Sequence, residues 1–441
     1  MRTEAPQQLE PIGRIPRGWT VRAVKRHYSV TLGKMLQSSQ QHPDETEEPY
    51  LRSANLSWSG VNIADIRTMW FSPAEKRRLA LRSRDLLVSE GGDVGRACMW
   101  SGELPTCYIQ NAVNRVRAIH SDSTRFLYYW LHLMKAAGYT DAIVNRITIG
   151  HLTAEKLEKF DFIRPLPDEQ RRIAAYLDNA CKAIDGAIDA KQKQLDTLAD
   201  LRKSIIHKAV TRGLDDSVEM KPSSVDWLGE IPAHWDVSRV KRNCRLLRGK
   251  FSHRPRNDPA LYNGDYPFIQ TGDIAAAGKR IHSFSQTLND QGLSVSRMFP
   301  RGTLVMAIAA NIGDVAIMDF EACFPDSIVG FVPNHRVNLD YLYYLLGSMK
   351  QIFLRSAVLT TQLNINYVRI GTNFAPLPPE SEQRAIAEHL DTSCRDLAAL
   401  RKKLTEQIQT LHDYRKSLIH ECVTGKRRIT DGDILKVKGN I

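Results

Sequence analysis

PLPDEQRRIAAYLD at residues 165–178 returns as PLPPESEQRAIAEHLD at residues 376–391, and DLRKSIIHKAVT at residues 200–211 returns as DYRKSLIHECVT at residues 413–424. Asp200 and Asp413 lie 213 positions apart, as do Thr211 and Thr424, so these segments repeat without a gap. Self-similarity on this scale marks an internal duplication, and the rest of the chain is read outward from it. In the first copy every seventh residue gives Leu177, Ile184, Lys191, Leu198 and Ile205, interleaved with Ala174, Cys181, Ile188, Leu195 and Arg202. The second copy gives Leu390, Leu397, Leu404, Leu411 and Leu418, interleaved with Ala387, Cys394, Arg401, Ile408 and Arg415. A strict seven-residue apolar period keeps one line of side chains facing a partner helix, which is what a coiled-coil seam requires. Only basic residues interrupt the two stripes: Lys191 and Arg202 in one, Arg401 and Arg415 in the other. At about 1.5 Å per residue each helix is expected to run on the order of 60 Å. A large block separates the two helices, so a compact two-fold arrangement runs them antiparallel as a rigid spacer.

The duplication extends beyond the helices. IGRIPRGWTVRAVKR from Ile12 recurs as LGEIPAHWDVSRVKR from Leu228, and Pro16, Trp19, Lys25 and Arg26 find their matches in Pro232, Trp235, Lys241 and Arg242. Each repeat therefore starts with the same docking segment. Farther in, the strand-like DLLVS from Asp85 leads to Gly91-Gly92-Asp93-Val94-Gly95, and GTLVM from Gly302 leads to Asn311-Ile312-Gly313-Asp314-Val315. With no helix and Lys following, a Gly-rich turn of this kind reads as a hairpin rather than a phosphate cradle. FLYYWLHL from Phe126 and YLYYLLGS from Tyr341 read as equivalent helices with aromatic residues facing a core. Between these landmarks the blocks diverge: residues 57–84 have no clear counterpart in residues 271–301. A shared frame around a divergent middle suggests two readers of different ligands.

A chain of 441 residues with 42% hydrophobic and 25% charged residues is long enough for two or three domains with real cores. The 61 basic residues against 49 acidic leave +12, which favours a polyanionic partner. Seven cysteines occur with no C-x-x-C pair, pointing to reduced thiols in a cytoplasm. No apolar run approaches the length of a membrane span, and the first residues lack the apolar centre of a signal peptide, so a soluble cytoplasmic protein is expected.

The motifs that would carry catalysis are missing from the sequence. Arg248-Gly249-Lys250-Phe251 does not complete a P-loop, and Pro378-Pro379 sits before the second helix rather than in a methyltransferase turn. The 13 histidines show no metal-ligand spacing, so no metal site is expected. His207 and His420, although duplicated, fall at helix ends where capping or packing explains them. What remains is a binding inventory. The first block offers Arg67, Arg77, Arg78, Arg82, Arg84, Arg96, Arg115 and Arg117 with Gln110, Asn111 and Asn114. The second offers Lys250, Arg254, Arg256, Asn257, Gln270, Lys279, Arg280, Arg297 and Gln362. Arg and Lys neutralise phosphates, while Arg, Asn and Gln can bond bidentately to guanine or adenine edges in the major groove.

With the duplicated I-P-x-x-W entrance, P-L-P-x-E-Q-x-x-I-A-x-x-L-D from Pro165 to Asp178 and D-x-R-K-S-x-I-H in place, the chain resembles the specificity subunit of a type I restriction–modification system over nearly its whole length. The second helix departs from the pattern only in its slightly longer Pro-Pro-Glu-Ser start. The resemblance implies an α+β protein of two mixed α/β target recognition domains joined by two long antiparallel coiled-coil helices, a pseudo-two-fold tandem duplication. It divides the chain into a tail at 1–11, a first recognition domain at 12–164 and a first helix with spacer at 165–213. A linker at 214–227, a second recognition domain at 228–375, a second helix at 376–425 and a tail at 426–441 follow. It further implies that each domain reads one half of a split double-stranded DNA site and that the chain has neither catalysis nor cofactor of its own. Two modification subunits using S-adenosylmethionine, and restriction subunits using ATP and magnesium, would be the partners. A coiled-coil scaffold whose end domains bind proteins is the competing reading; it accounts for the helices but not for two divergent basic blocks in one frame.

Overall fold

The structure, a computed structural model, describes residues 15–140, 151–356, 358–359 and 363–439. The chain divides into two compact units, Met1–Gln192 with Thr405–Ile441, and Lys193–Leu404. Each contains one block and half of each long helix.

In the first unit, strand Thr20–Ala23 pairs antiparallel with Asp161–Arg164, Thr20 opposite Arg164. The chain entering the block and the chain leaving it are thus zipped together just before helix Pro167–Arg212 begins. Inside, an antiparallel sheet runs Tyr28–Leu32, Val113–Ala118, Leu86–Ser89, Ala97–Met99. Leu86–Ser89 is buried along its whole length because both faces are covered. Leu86 and Val88 point into the main core with helix Thr124–Ala136, while Leu87 points into a second core with Phe71, Trp100 and Ile109. That alternation is the period-two geometry of a strand between two layers. The second core is closed by a smaller sheet in which Thr46–Leu51 pairs antiparallel with Arg67–Phe71 and parallel with Tyr108–Ile109.

The second unit repeats this plan. Asp236–Arg239 pairs with Phe374–Leu377 before helix Glu380–Val423. The sheet order is Cys244–Arg248, Ile328–Pro333, Leu304–Ala307, Val315–Met318, with Arg280–Ile281 added in parallel at the edge. Leu304 and Met306 face the main core, Val305 and Ala307 the second. The smaller sheet again has a long strand, Tyr262–Phe268, antiparallel to Gln286–Leu288 and parallel to Ala322–Cys323. Divergence in the block middles is therefore a divergence of sequence, with the strand pairing kept. Both Gly-rich segments are hairpin turns, and Gly95 (φ +79°) and Gly313 (φ +82°) occupy the same left-handed position in them.

The long helices comprise 46 and 44 residues, about 69 and 66 Å. Leu177, Ile184, Leu390, Leu404 and Leu418 are buried, and Ile188, Leu195, Leu198, Ile205, Leu397, Ile408 and Leu411 are half-buried. In the first unit the helices run antiparallel, Asp185 accepting from Arg415 at 3.0 Å and Gln407 from Lys191 at 2.7 Å. In the second, Leu198 and Arg202 share a cleft wall with Leu397 and Arg401. Two of the basic residues that interrupt the stripe, Lys191 and Arg415, are thus paired across it. Each helix ends on a glycine with positive φ, Gly213 at +80° and Gly425 at +75°. Thr211 and Thr424 hydroxyls donate back to the His207 and His420 carbonyls at 2.7 and 2.6 Å, so these histidines belong to the helix ends.

The duplicated motif residues tie helix to block. Trp19 Nε1 donates to Glu169 at 3.0 Å, and Trp235 Nε1 to Glu382 at 2.9 Å. Gln170 and Gln383 are fully buried. Their side-chain oxygens accept the backbone N–H of the helix caps Ser123 and Asn338, both at 2.8 Å, and their amide groups donate to the Pro165 and Pro378 carbonyls at 3.0 and 2.9 Å. A buried amide with partners on both sides specifies position as well as stability.

Two segments carry more structure than the sequence reading expects. Met220–Pro222, in the expected linker, pairs with Glu230–Pro232, and Ile429 and helix Asp431–Gly439, in the expected tail, follow the second long helix, with Ile429 buried in the first unit's core. Among the described residues no helix is long and apolar enough to cross a membrane, and no group of three or more His, Cys, Asp or Glu side chains could hold a metal.

Candidate nucleic-acid interface

The first block presents its cations on helix Pro73–Leu79 and the loop that follows. Ser72 caps the helix, its hydroxyl accepting from Glu75 N and its own N–H reaching Glu75 Oε2 at 2.9 Å, with Pro73 in the first turn. Glu75 is held in turn by Lys34 at 2.6 Å. Arg77, Arg78, Arg82 and Arg84 are exposed around this helix end, and Arg67 stands exposed on its strand, 3.9 Å from Asp65.

Arg115, Arg117 and Asn114 face inward. Arg115 is 6% exposed and donates to the carbonyls of Arg78 at 2.8 Å and Ala80 at 3.0 Å, closing the C-terminal end of the same helix. Burial pushes its guanidinium down to about 10. Arg117 grips Asp85 with two bonds and donates to Ala80 O at 2.8 Å. Asn114 is buried against the Leu152 carbonyl. Arg115 and Arg117 thus hold the segment that presents the exposed arginines. Arg96 is half-buried between Ser53 and Asp93, and Gln110 and Asn111 are half-buried at the turn before strand Val113–Ala118.

In the second block the cations surround the loop after Cys244–Arg248. Gly249 lies so close to Pro325 that a Cβ would stand 2.0 Å from its carbonyl oxygen, so only glycine lets the loop lie there. Lys250 is exposed, and Arg254 and Arg256, both roughly half-exposed, share Asp326. Arg297 joins the same face, donating to Arg248 O at 3.3 Å and covering the Phe299 ring at 4.6 Å. Gln270 bonds Gln286 at 3.0 Å at the face of the smaller sheet. Lys279 and Arg280 are committed elsewhere: Lys279 to Asp391 at 2.6 Å and Asp340 at 2.8 Å, Arg280 to Asp319 and Asp340. Asn257 is exposed beside Arg256, and Gln362 lies outside the described residues.

Arg248, absent from the binding inventory above, is exposed and belongs to the second block's cationic face. The available signal was the duplicated Gly-Lys: Gly33-Lys34 matches Gly249-Lys250, and both glycines press on a backbone carbonyl. The two lysines differ in fate, Lys34 being paired to Glu75 while Lys250 is exposed.

Two duplicated frames, each carrying its own cationic face and bound to one pair of helices, correspond to known proteins. The family model described as the type I restriction modification DNA specificity domain matches residues 16–196 and again 234–410. A putative type I restriction enzyme MjaX specificity subunit of Methanocaldococcus jannaschii is 24% identical over 95% of this chain and 96% of its own length. The EcoR124I/EcoR124II specificity subunit of Escherichia coli is 21% identical over 60% of this chain and 62% of its own. Among solved structures, a chain from a study of complex assembly and conformational transition of the type I R-M system superposes with TM-score 0.72 at 14% identity, over 93% of this chain and 98% of that one. The HsdS subunit of Thermoanaerobacter tengcongensis gives 0.55 at 14% identity, over 95% and 100%. These likenesses show the same fold. With the family model matched twice, once on each repeat of frame and helix, the chain belongs to the type I restriction–modification specificity subunits, which recognise DNA and leave catalysis to other chains.

Proposed function

We propose that the blocks at 12–164 and 228–375 each read one half of an asymmetric, split DNA target, with the two long helices setting the non-specific spacing between the halves. The observation that carries this reading is the contrast inside the duplication: strand pairing, helix anchors and turn glycines are kept, while the exposed cationic faces are built from unrelated residues. Arg67, Arg77, Arg78, Arg82 and Arg84 form the first face, and Arg248, Lys250, Arg254, Arg256 and Arg297 the second. Arginine serves both phosphate contact and bidentate reading of guanine. Unlike faces favour unlike half-sites. Two modification subunits carrying S-adenosylmethionine would methylate adenine within each half, and restriction subunits carrying ATP and magnesium would translocate and cleave, in the cytoplasm.

Long-read methylation sequencing of cells carrying this gene with a modification gene, against cells lacking this gene, tests the proposal. A split adenine-methylated motif that disappears with the gene, its halves unrelated by symmetry, is the expected result. Halves that mirror each other contradict the asymmetry, and unchanged methylation contradicts the function.

A further inference from the structure

Asp178 and Asp391 occupy the same position of the duplicated L-D motif, and both are bound in the same way by chemically different means. Asp178 accepts from Arg125 Nε at 2.6 Å and from the Tyr129 hydroxyl at 2.7 Å. Asp391 accepts from Lys279 Nζ at 2.6 and 2.7 Å and from the Tyr344 hydroxyl at 2.6 Å. In each unit the cation also lies over a Tyr-Tyr pair, Arg125 at 4.7 and 5.3 Å from the Tyr128 and Tyr129 ring centroids, Lys279 at 5.9 and 5.2 Å from those of Tyr343 and Tyr344.

The cations are not equivalent residues. Aligning Phe126 with Tyr341 puts Arg125 opposite Asp340, an acid where the first block has a base. Left alone, Asp340 and Asp391 would bring two carboxylates together. Lys279, from the divergent middle of the second block, enters between them, bonding Asp340 at 2.8 Å as well as Asp391. The aspartate and the tyrosine thus stand at equivalent positions of the repeat while the cation comes from a different part of the chain, so the arrangement has been kept although its cation changed. Each clamp borders a cleft between block and helix, about 600 Å³ in the first unit and 760 Å³ in the second. Apolar packing does not fill the space there, and the clamp spans it.

We propose that Asp178 and Asp391 are positioning residues that fix the angle of each recognition block on its helix and thereby the spacer length at which both half-sites are read together. This rests on the split-target reading above. Charge-assisted bonds to a tyrosine and a cation on the block resist rocking about the helix in a way that apolar contacts, which lack direction, do not. In the second unit the clamp joins Lys279, Asp340, Tyr344 and Asp391 and bonds none of Arg248, Lys250, Arg254, Arg256 or Arg297, so its loss there changes geometry and leaves base preference intact.

The test is methylation of a plasmid library in which the two half-sites are separated by every spacer from several base pairs shorter to several longer, in cells carrying the full chain and its modification partner. Wild type is expected to favour one spacer. Asp391→Asn and Tyr344→Phe each lower the preference for that spacer over its neighbours, by about tenfold for the aspartate variant, with the same bases read in both halves. Asp391→Glu restores the preference. Tyr344→Phe removes one hydroxyl and keeps the ring, so it remains informative if Asp391→Asn folds poorly. A wild-type spacer profile in both Asp391→Asn and Tyr344→Phe overturns the clamp, as does a change in the bases read. A wild-type protein that methylates no split motif overturns the function as well, which separates the two failures.

Discussion

At the scale of single residues, the arginines around helix Pro73–Leu79 divide into those that face solvent and those that hold them there, and the two classes respond differently to removal. Arg115→Ala takes away the donor to the Arg78 carbonyl and one of the two donors to the Ala80 carbonyl, empties the space of a buried side chain, and is expected to cost about 2–3 kcal/mol, read as a lower unfolding midpoint. Arg77→Ala is expected to leave stability within about 0.5 kcal/mol. It should instead weaken DNA binding and reduce the slope of log affinity against log salt by about one. His132 supplies a pH dependence. Burial, with the Arg415 charge nearby, lowers it to about 4. Since the folded value lies below the unfolded one, the unfolded chain binds the extra proton first. Stability is complete above about pH 6.5 and declines as pH falls toward 4, by on the order of 3 kcal/mol at the acid end. Urea denaturation of wild type and His132→Phe at pH 7.5 and 5 should show that difference shrinking in the variant.

At the scale of elements, the long helices are unevenly committed. Leu390 is fully buried beneath the second block, whereas Leu400, ten residues on, is 46% exposed. Leu390→Ala is expected to cost about 2–5 kcal/mol and Leu400→Ala less than about 1 kcal/mol, by chemical denaturation. Gly425 both adopts positive φ and lies under Trp19 and Pro16, where a Cβ would come within 2.4 Å of the proline ring. Gly425→Ala should therefore cost more than the ~1 kcal/mol of an ordinary helix-terminal glycine, because strain and overlap combine. The heptad made the helices legible, since an apolar line kept over five seven-residue layers requires a long helix, whether it packs on its own block or on a partner helix. The seam's basic interruptions were equally visible, but not their partners, because Asp185 and Gln407 are set by which turn of the other helix faces Arg415 and Lys191.

At the scale of the whole molecule, one unit is continuous in sequence and the other is not. Lys193–Leu404 contains its own sheets, cores and helix segments, and is expected to fold alone with a single cooperative transition. Residues 1–192 lack Leu418, Ile419, Cys422, Val423 and Ile429, which belong to the same core. That fragment is expected to be largely unfolded by circular dichroism, and to recover structure when residues 405–441 are supplied as a second chain.

Sequence alone determined the duplication, the helix period, the block entrances and the family, because each is a local pattern or a repeat of one, carried by spacing along the chain. It also determined that two cationic blocks exist. Which cations are exposed was decided by tertiary structure: Arg77 and Arg115 are the same residue type, yet one ends up on a helix surface and the other beneath that helix. Lys279, counted among the DNA-facing residues on composition, is drawn to Asp391 from more than a hundred positions away. Charge is a property of the residue, but its availability depends on which opposite charge the fold brings within reach, and separation along the chain does not encode that distance.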